Sequence, residues 1–169
     1  AGVAKRTTNT VLSVWRAFKT SYDLSFQLRQ GRAYMGRREW NGAFVRMFSY
    51  AKDPLAMDAL EIRMMRHKYS QYAIKQKRKL GLTLLGESFT QREEQYGAKV
   101  IGKIPGLAAS ERAFVGFAND LRFNRFVNQL ERLDRMGNGI TENPAAMEEL
   151  AAVIGAATGR GALGSAEGA

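Results

Sequence analysis

There is no cysteine among the 169 residues. That excludes a disulfide scaffold, thiolate zinc sites and thiol nucleophiles, and it fits a reducing compartment. There is a single histidine, His67. A side-chain metal site needs several converging ligands, so one imidazole with no thiol beside it argues against bound zinc. No apolar run approaches the roughly 20 residues that span a bilayer. Lys5 and Arg6 are followed by Thr7, Thr8, Asn9 and Thr10, not by the apolar core of a secretory signal. Neither an alternating strand pattern nor a repeat period is present. The first residue is Ala1, which reads as a chain processed or excised from a longer protein.

What is present is apolar and basic. Hydrophobic residues make up 45% of the chain, enough for a packed core in one domain. The net charge is +10 and is unevenly placed. Residues 1–80 hold 17 Lys/Arg and 5 Asp/Glu, while residues 81–169 hold 9 and 11. A first half at +12 and a second at −2 suggest an anionic partner, nucleic acid or a membrane surface, with a merely solvated basic face as the plain alternative.

The apolar spacing predicts helices throughout. Val11, Leu12, Trp15 and Phe18 mark a helix over 7–20, and Leu24 and Leu28 a short turn closed by Gly31. Arg32 to Arg38 reads as a basic loop, followed by a stripe of Trp40, Phe44, Met47 and Phe48. Asp53-Pro54 is a helix start, because Asp caps free amides and Pro tolerates the first position. Leu55, Ala59, Ile62, Met65, Tyr69 and Tyr72 supply the following stripe, with a break near Lys68–Gln71 and an end at Gly81. Thr90-Gln91-Arg92-Glu93 is a capping box opening a helix through Ile101. Ser110 is the expected cap of the longest helix, lined by Phe114, Phe117, Leu121, Phe126, Leu130 and Leu133 and broken at Gly137-Asn138-Gly139. Asn143-Pro144 starts the last, with Met147, Leu150, Ala151 and Ile154 inward. The expectation is an all-α, irregular bundle of about six to seven helices: one helical domain over 1–158 and a flexible Gly/Ala-rich tail over 159–169.

Few residues point to chemistry. His67 falls in line with Leu60, Met64 and Gln71 and reads as structural. Glu93-Glu94 and Glu148-Glu149 are adjacent, hence about 100° apart on a helix, and serve helix starts rather than one substrate atom. Gly159-Arg160-Gly161-Ala162-Leu163-Gly164 spells G-x-G-x-x-G, but a dinucleotide turn follows a strand, and here a helix precedes it. The densest cationic cluster is Lys75, Lys77, Arg78 and Lys79, just after Tyr69 and Tyr72. Clustered cations favour phosphates and aromatics can stack on bases, although both tyrosines also fit the core stripe. Arg29, Arg32, Arg37 and Arg38 form a looser second patch. Lys75, Lys77, Arg78, Lys79, Arg37 and Arg38 are therefore the candidate nucleic-acid contacts, with no catalytic, metal or cofactor residue assigned. Trp15, Phe18, Phe26, Trp40, Phe44 and Phe48 are many aromatics for fifty residues, serving the core or a partner surface.

Four strings occur in order: Asp23-Leu24-Ser25 with Leu28-Arg29-Gln30-Gly31, Arg92-Glu93-Glu94 with Lys103-Ile104-Pro105-Gly106, Ser110-Glu111-Arg112-Ala113-Phe114 with Leu121-Arg122, and Ala157-Thr158-Gly159-Arg160-Gly161. Together they resemble a helical associated domain of very large bacteriophage polyvalent, or internal virion (ejection), proteins, over about residues 15–164. Asn119-Asp120 departs from the apolar-plus-basic pairing of that pattern, and residues 50–80 are more basic than it. The resemblance implies a non-enzymatic segment of a longer protein, held in the virion interior and entering the host cell with the DNA. Its partners would be other segments or copies of the parent protein, with DNA as an alternative partner, membrane contact as a further alternative and no small-molecule substrate.

Overall fold

The computed structural model describes residues 31–83 and 107–159. Among them are six α-helices and two 3₁₀ turns and no strand. A 3₁₀ turn at Arg32–Tyr34 precedes α1 (Arg38–Lys52) and α2 (Leu55–Met65). The short helices α3 (Ser70–Lys75) and α4 (Lys77–Leu80) follow. The long α5 (Leu107–Arg135) then leads through a second turn, Ile140–Glu142, to α6 (Pro144–Ala157). This is the all-α bundle that the spacing predicts. The expected helices over 7–20 and from Thr90, the Leu24–Leu28 turn, Glu93-Glu94 and the tail beyond Gly159 lie outside the described residues.

The axis of the bundle is α5. From Gly116 to Phe123 every residue is buried, and a helix buried through two successive turns has neighbours on all sides. On one side α1 packs through Trp40, Ala43 and Met47 against Ala113, Phe117 and Leu121. Trp40 stacks on Phe44 at 4.9 Å and meets Phe117 edge-on at 6.1 Å. On the other side, Met57, Leu60, Met64, Tyr69, Leu80, Met147 and Ile154 close around Phe123, Phe126, Val127 and Leu130.

The punctuation works as the local chemistry demands. Asp53 accepts the Leu55 N–H at 3.0 Å, and Asn143 accepts the Ala146 N–H at 3.1 Å with Pro144 in the first turn of α6. Gly81 ends α4 at φ +69°, a left-handed value favoured by glycine. Helix α2 stops where the His67 ring nitrogen Nδ1 captures the Tyr69 N–H at 3.2 Å, so that amide makes its bond locally. That break lies at Arg66–Tyr69, slightly earlier than expected, and a second one at Gln76 separates α3 from α4.

Four expectations are corrected. In α2 the inward row is Met57, Leu60 and Met64, whereas Leu55, Ile62 and Met65 are 69%, 51% and 45% exposed. Both rows are apolar, so periodicity alone does not choose between them; Arg63 does, by reaching inward to Asp120. Phe48 is 56% exposed, and Tyr50 takes the inward position. Ser110 does not cap α5, which starts at Leu107; it lies buried inside the first turn with its hydroxyl unpartnered. Arg32–Arg38 is not simply a loop, because its 3₁₀ turn buries Tyr34 beneath the Arg125 guanidinium, 5.1 Å from the ring centroid.

Candidate functional site: a buried polar row on the long helix

The middle of α5 carries Asn119, Asp120 and Arg122 at 4%, 0% and 6% exposure. Buried polar groups are tolerated only when hydrogen-bonded, and buried charges only when also paired. Each of the three meets a different part of the fold.

Asp120 faces α1 and α2. Its Oδ2 accepts from Arg46 Nε at 2.6 Å and from the Tyr50 hydroxyl at 2.8 Å. Its Oδ1 accepts from Arg46 Nη2 at 3.2 Å, from Arg63 Nη2 at 2.7 Å and from the Asn124 amide one turn along α5. A carboxylate offers about four acceptor sites, so these donors saturate it. It is no proton acceptor for a substrate; it is an anchor for two cations. The Asp120 hydrogen bonds raise the Arg46 pKa above the ordinary arginine value, against the opposing effect of burial. Burial, then the neighbouring Asp120 charge, push Tyr50 up to about 12.

Asn119 faces the chain after α4. Its amide donates to the Thr83 carbonyl at 2.6 Å and its Oδ1 accepts the Thr83 N–H at 3.0 Å, so one side chain satisfies both backbone groups. Arg122 lies where two helices end. Its Nη1 donates to the Gly81 carbonyl at 2.7 Å, and Nε and Nη2 donate to the Thr158 hydroxyl at 2.8 Å and carbonyl at 3.0 Å. A cation at helix C-termini is favourably placed against their dipoles. Helix α6 also meets α4 through Gly155, where any Cβ would collide with the Lys79 carbonyl. That contact fixes the pair more firmly than the Lys79–Glu148 ion pair at 3.0 Å, whose partners are 52% and 53% exposed and contribute at most about 1 kcal/mol.

The residues singled out in the sequence lie elsewhere. Lys75, Arg78 and Lys79 are exposed on α3 and α4, and Lys77 is half-buried and engaged. Arg37 and Arg38 are exposed at the start of α1, ahead of Glu39. Burial raises the Glu39 carboxyl, but its own backbone amide, Asn128 and Arg125 outweigh that and leave it below the ordinary value. The two basic patches thus belong to different elements with different neighbours. Tyr69 and Tyr72 belong to the core, and the Tyr69 hydroxyl donates to Asp134 at 2.6 Å. His67 packs edge-on against Phe123 at 5.7 Å. Gly159 follows α6 at φ +87°, and the rest of the G-x-G-x-x-G string is outside the described residues.

Sequence reasoning missed Arg46, Arg63, Tyr50 and Asn124, and it read Asn119-Asp120 only as a departure from a pattern. The available signal was composition: Asn-Asp-Leu-Arg placed between Phe117-Ala118 and Phe123 in a helix otherwise apolar at that point. Among the described residues no group of three His, Asp or Glu side chains is placed to hold a metal ion, and no helix is long and apolar enough to cross a membrane. Comparison with protein-family models, with curated proteins and with solved structures finds no match.

Proposed function

We propose that this chain is a non-enzymatic helical segment of a large phage internal virion, or ejection, protein, which packs against other segments or copies of its parent and travels with the genome into the host cell. The observation that carries this reading is the outward apolar surface of α1 and α2. Val45, Phe48, Leu55, Ile62 and Met65 are 69%, 56%, 69%, 51% and 45% exposed. Leu55 and Ile62 lie seven residues apart, two turns along one side, and Val45 and Phe48 lie three apart. Single exposed apolar side chains are ordinary; five on two consecutive helices suit a surface that another protein element covers. The ordered strings resembling polyvalent phage proteins support the same setting. The saturated polar row also favours packing over catalysis, because its donors and acceptors are spent on holding helices together.

Peptide mass spectrometry of purified virions from the phage encoding this chain tests the reading. Its peptides are expected in the particle fraction after nuclease and protease treatment of the exterior, and their absence would sink the idea.

A second reading, nucleic-acid contact, is favoured by the exposure of Arg37, Arg38, Lys75, Arg78 and Lys79. Electrophoretic mobility of a labelled duplex should then be retarded strongly at low salt and weakly at high salt. A variant reversing Lys75, Lys77, Arg78 and Lys79 that binds DNA and RNA as well as the parent would count against it. Flotation with anionic vesicles separates this from attachment to a membrane surface.

A further inference from the structure

We propose that Arg46 and Arg63 form a clamp for a phosphate of a nucleic-acid backbone, with Asp120 as the residue that positions both guanidinium groups. The inference rests on the nucleic-acid reading and gives it a site that the two basic patches do not contain.

The geometry concentrates positive charge at one point. Arg46 Nη2 and Arg63 Nη2 both donate to Asp120 Oδ1, at 3.2 and 2.7 Å. The two cations are therefore held within about 6 Å of each other, where like charges repel. One carboxylate compensates one of them, and a second anion would relieve the remainder. The guanidiniums are not sealed in: the two side chains are 39% and 46% exposed, while Asp120 is fully covered. Among the described residues Arg63 meets Asp120 through Nη2, which leaves Nε and Nη1 as donors beyond that contact on a side chain 46% exposed. Arginines fixed from behind by a carboxylate keep their planar forks oriented, which suits bidentate binding of phosphate oxygens.

The surroundings leave room for such a ligand. Gly42, Arg46 and Ser49 follow one another along one side of α1 at i, i+4, i+7 spacing, and Arg66, the cap that ends α2, lies three positions beyond Arg63. The Arg46 guanidinium packs over Gly42, where a Cβ would stand 3.0 Å from Nη2. Ser49, Ala59 and Arg66 are exposed, and Arg66 adds a third guanidinium one turn beyond Arg63. Residues 31–83 hold 12 Lys/Arg against 4 Asp/Glu, so the segment that carries both arginines is itself strongly cationic. A repeating polyanion matches that distribution better than a single small anion does.

The test measures binding of the full chain to a labelled DNA duplex and to a single strand over a range of salt. Three variants are compared with the parent: Arg63→Gln, Ser49→Glu and the four-fold charge reversal at Lys75, Lys77, Arg78 and Lys79. Arg63→Gln leaves Asp120 with its Arg46, Tyr50 and Asn124 donors. Ser49→Glu leaves the anchor untouched and sets a carboxylate beside Arg46, so an effect on binding is separable from misfolding by an unchanged circular dichroism melt. Loss of one phosphate contact is expected to weaken binding about tenfold and to lower the slope of log K against log salt by about 1. Parent-like affinity and slope in both Arg63→Gln and Ser49→Glu overturn the clamp. If the four-fold reversal alone abolishes binding, the clamp falls and the nucleic-acid reading stands. If the parent binds neither nucleic acid at low salt, both fall. Binding of anionic vesicles, or thermal stabilisation by inorganic phosphate, that depends on Arg63 while DNA binding does not would assign the guanidiniums to a lipid or to free phosphate and overturn the proposal as stated.

Discussion

The Tyr50 hydroxyl donates to the buried Asp120 carboxylate at 2.8 Å across the interface between α1 and α5. This bond should contribute about 1.5–3 kcal/mol, because its acceptor is charged. Tyr50→Phe is expected to lower stability by that amount in urea unfolding at pH 7. The phenol also links stability to alkaline pH. Its folded value lies at about 12 against an ordinary 10.0, raised by burial and then by the Asp120 charge. The folded state therefore holds this proton more tightly, and the associated stability is complete below pH 10 and disappears as pH rises from 10 through about 12. In Tyr50→Phe that part of the alkaline decline should be missing; an identical slope in both proteins would contradict the assignment.

Asp120 holds two cations, so removing one and removing both should differ in kind. After Arg46→Ala or Arg63→Ala the carboxylate keeps one guanidinium. After both, a fully buried charge retains only Tyr50 and Asn124, and an uncompensated buried charge costs about 3–5 kcal/mol. The double variant is expected to lose more than the sum of the singles, by at least about 1 kcal/mol in a double-mutant cycle. Simple additivity would mean that one arginine alone compensates the charge.

Two glycines mark close helix approaches and should not accept alanine. A Cβ at Gly116 would collide with the Tyr50 ring and stand 2.9 Å from Met57 Sδ. A Cβ at Gly155 would collide with the Lys79 carbonyl, which is backbone and cannot rotate away. Alanine in place of glycine gains up to about 1 kcal/mol of helix propensity, while overpacking costs about 1–3 kcal/mol. Both variants should melt lower than the parent, since the Lys79 carbonyl is backbone and the buried Tyr50 ring is held at its hydroxyl by Asp120.

Much of this architecture was legible in the sequence, and the pattern of what was not is physical. Asp53-Pro54, Gly81, Gly137-Asn138-Gly139 and Asn143-Pro144 were readable because caps and left-handed glycines act over three or four residues. The core line of α5 through Phe117, Leu121, Phe126 and Leu130 was readable because helical spacing repeats over many turns. The rotation of α2 was not: Leu55/Ile62/Met65 and Met57/Leu60/Met64 are equally apolar, and the choice is made by Arg63 meeting a residue 57 positions away. The polar row failed to register for the same reason. Asp120 takes partners from positions 46, 50 and 63, and no local window contains them.

Glu39 provides an acid-side test. Burial opposes its ionisation, yet the backbone, Asn128 and Arg125 together hold it below the ordinary 4.5. A lowered folded value means stability that is present above pH 4.5 and is lost as pH falls through the folded value. Glu39→Gln should therefore melt below the parent at pH 7 and approach it as pH falls through the folded value. A constant difference between the two proteins would show that this carboxylate acts through packing alone.

The attachments made by Asn119 also set a span along α5. The chain is pinned at Thr83 by the middle of α5 and begins α5 at Leu107, twelve helical residues before Asn119. Twelve residues of helix measure about 18 Å, a gap that about six extended residues can bridge. The same helix thus receives the chain on both sides of that span, at Asn119 and at Leu107, so Asn119→Ala would release one end of it while leaving the other in place.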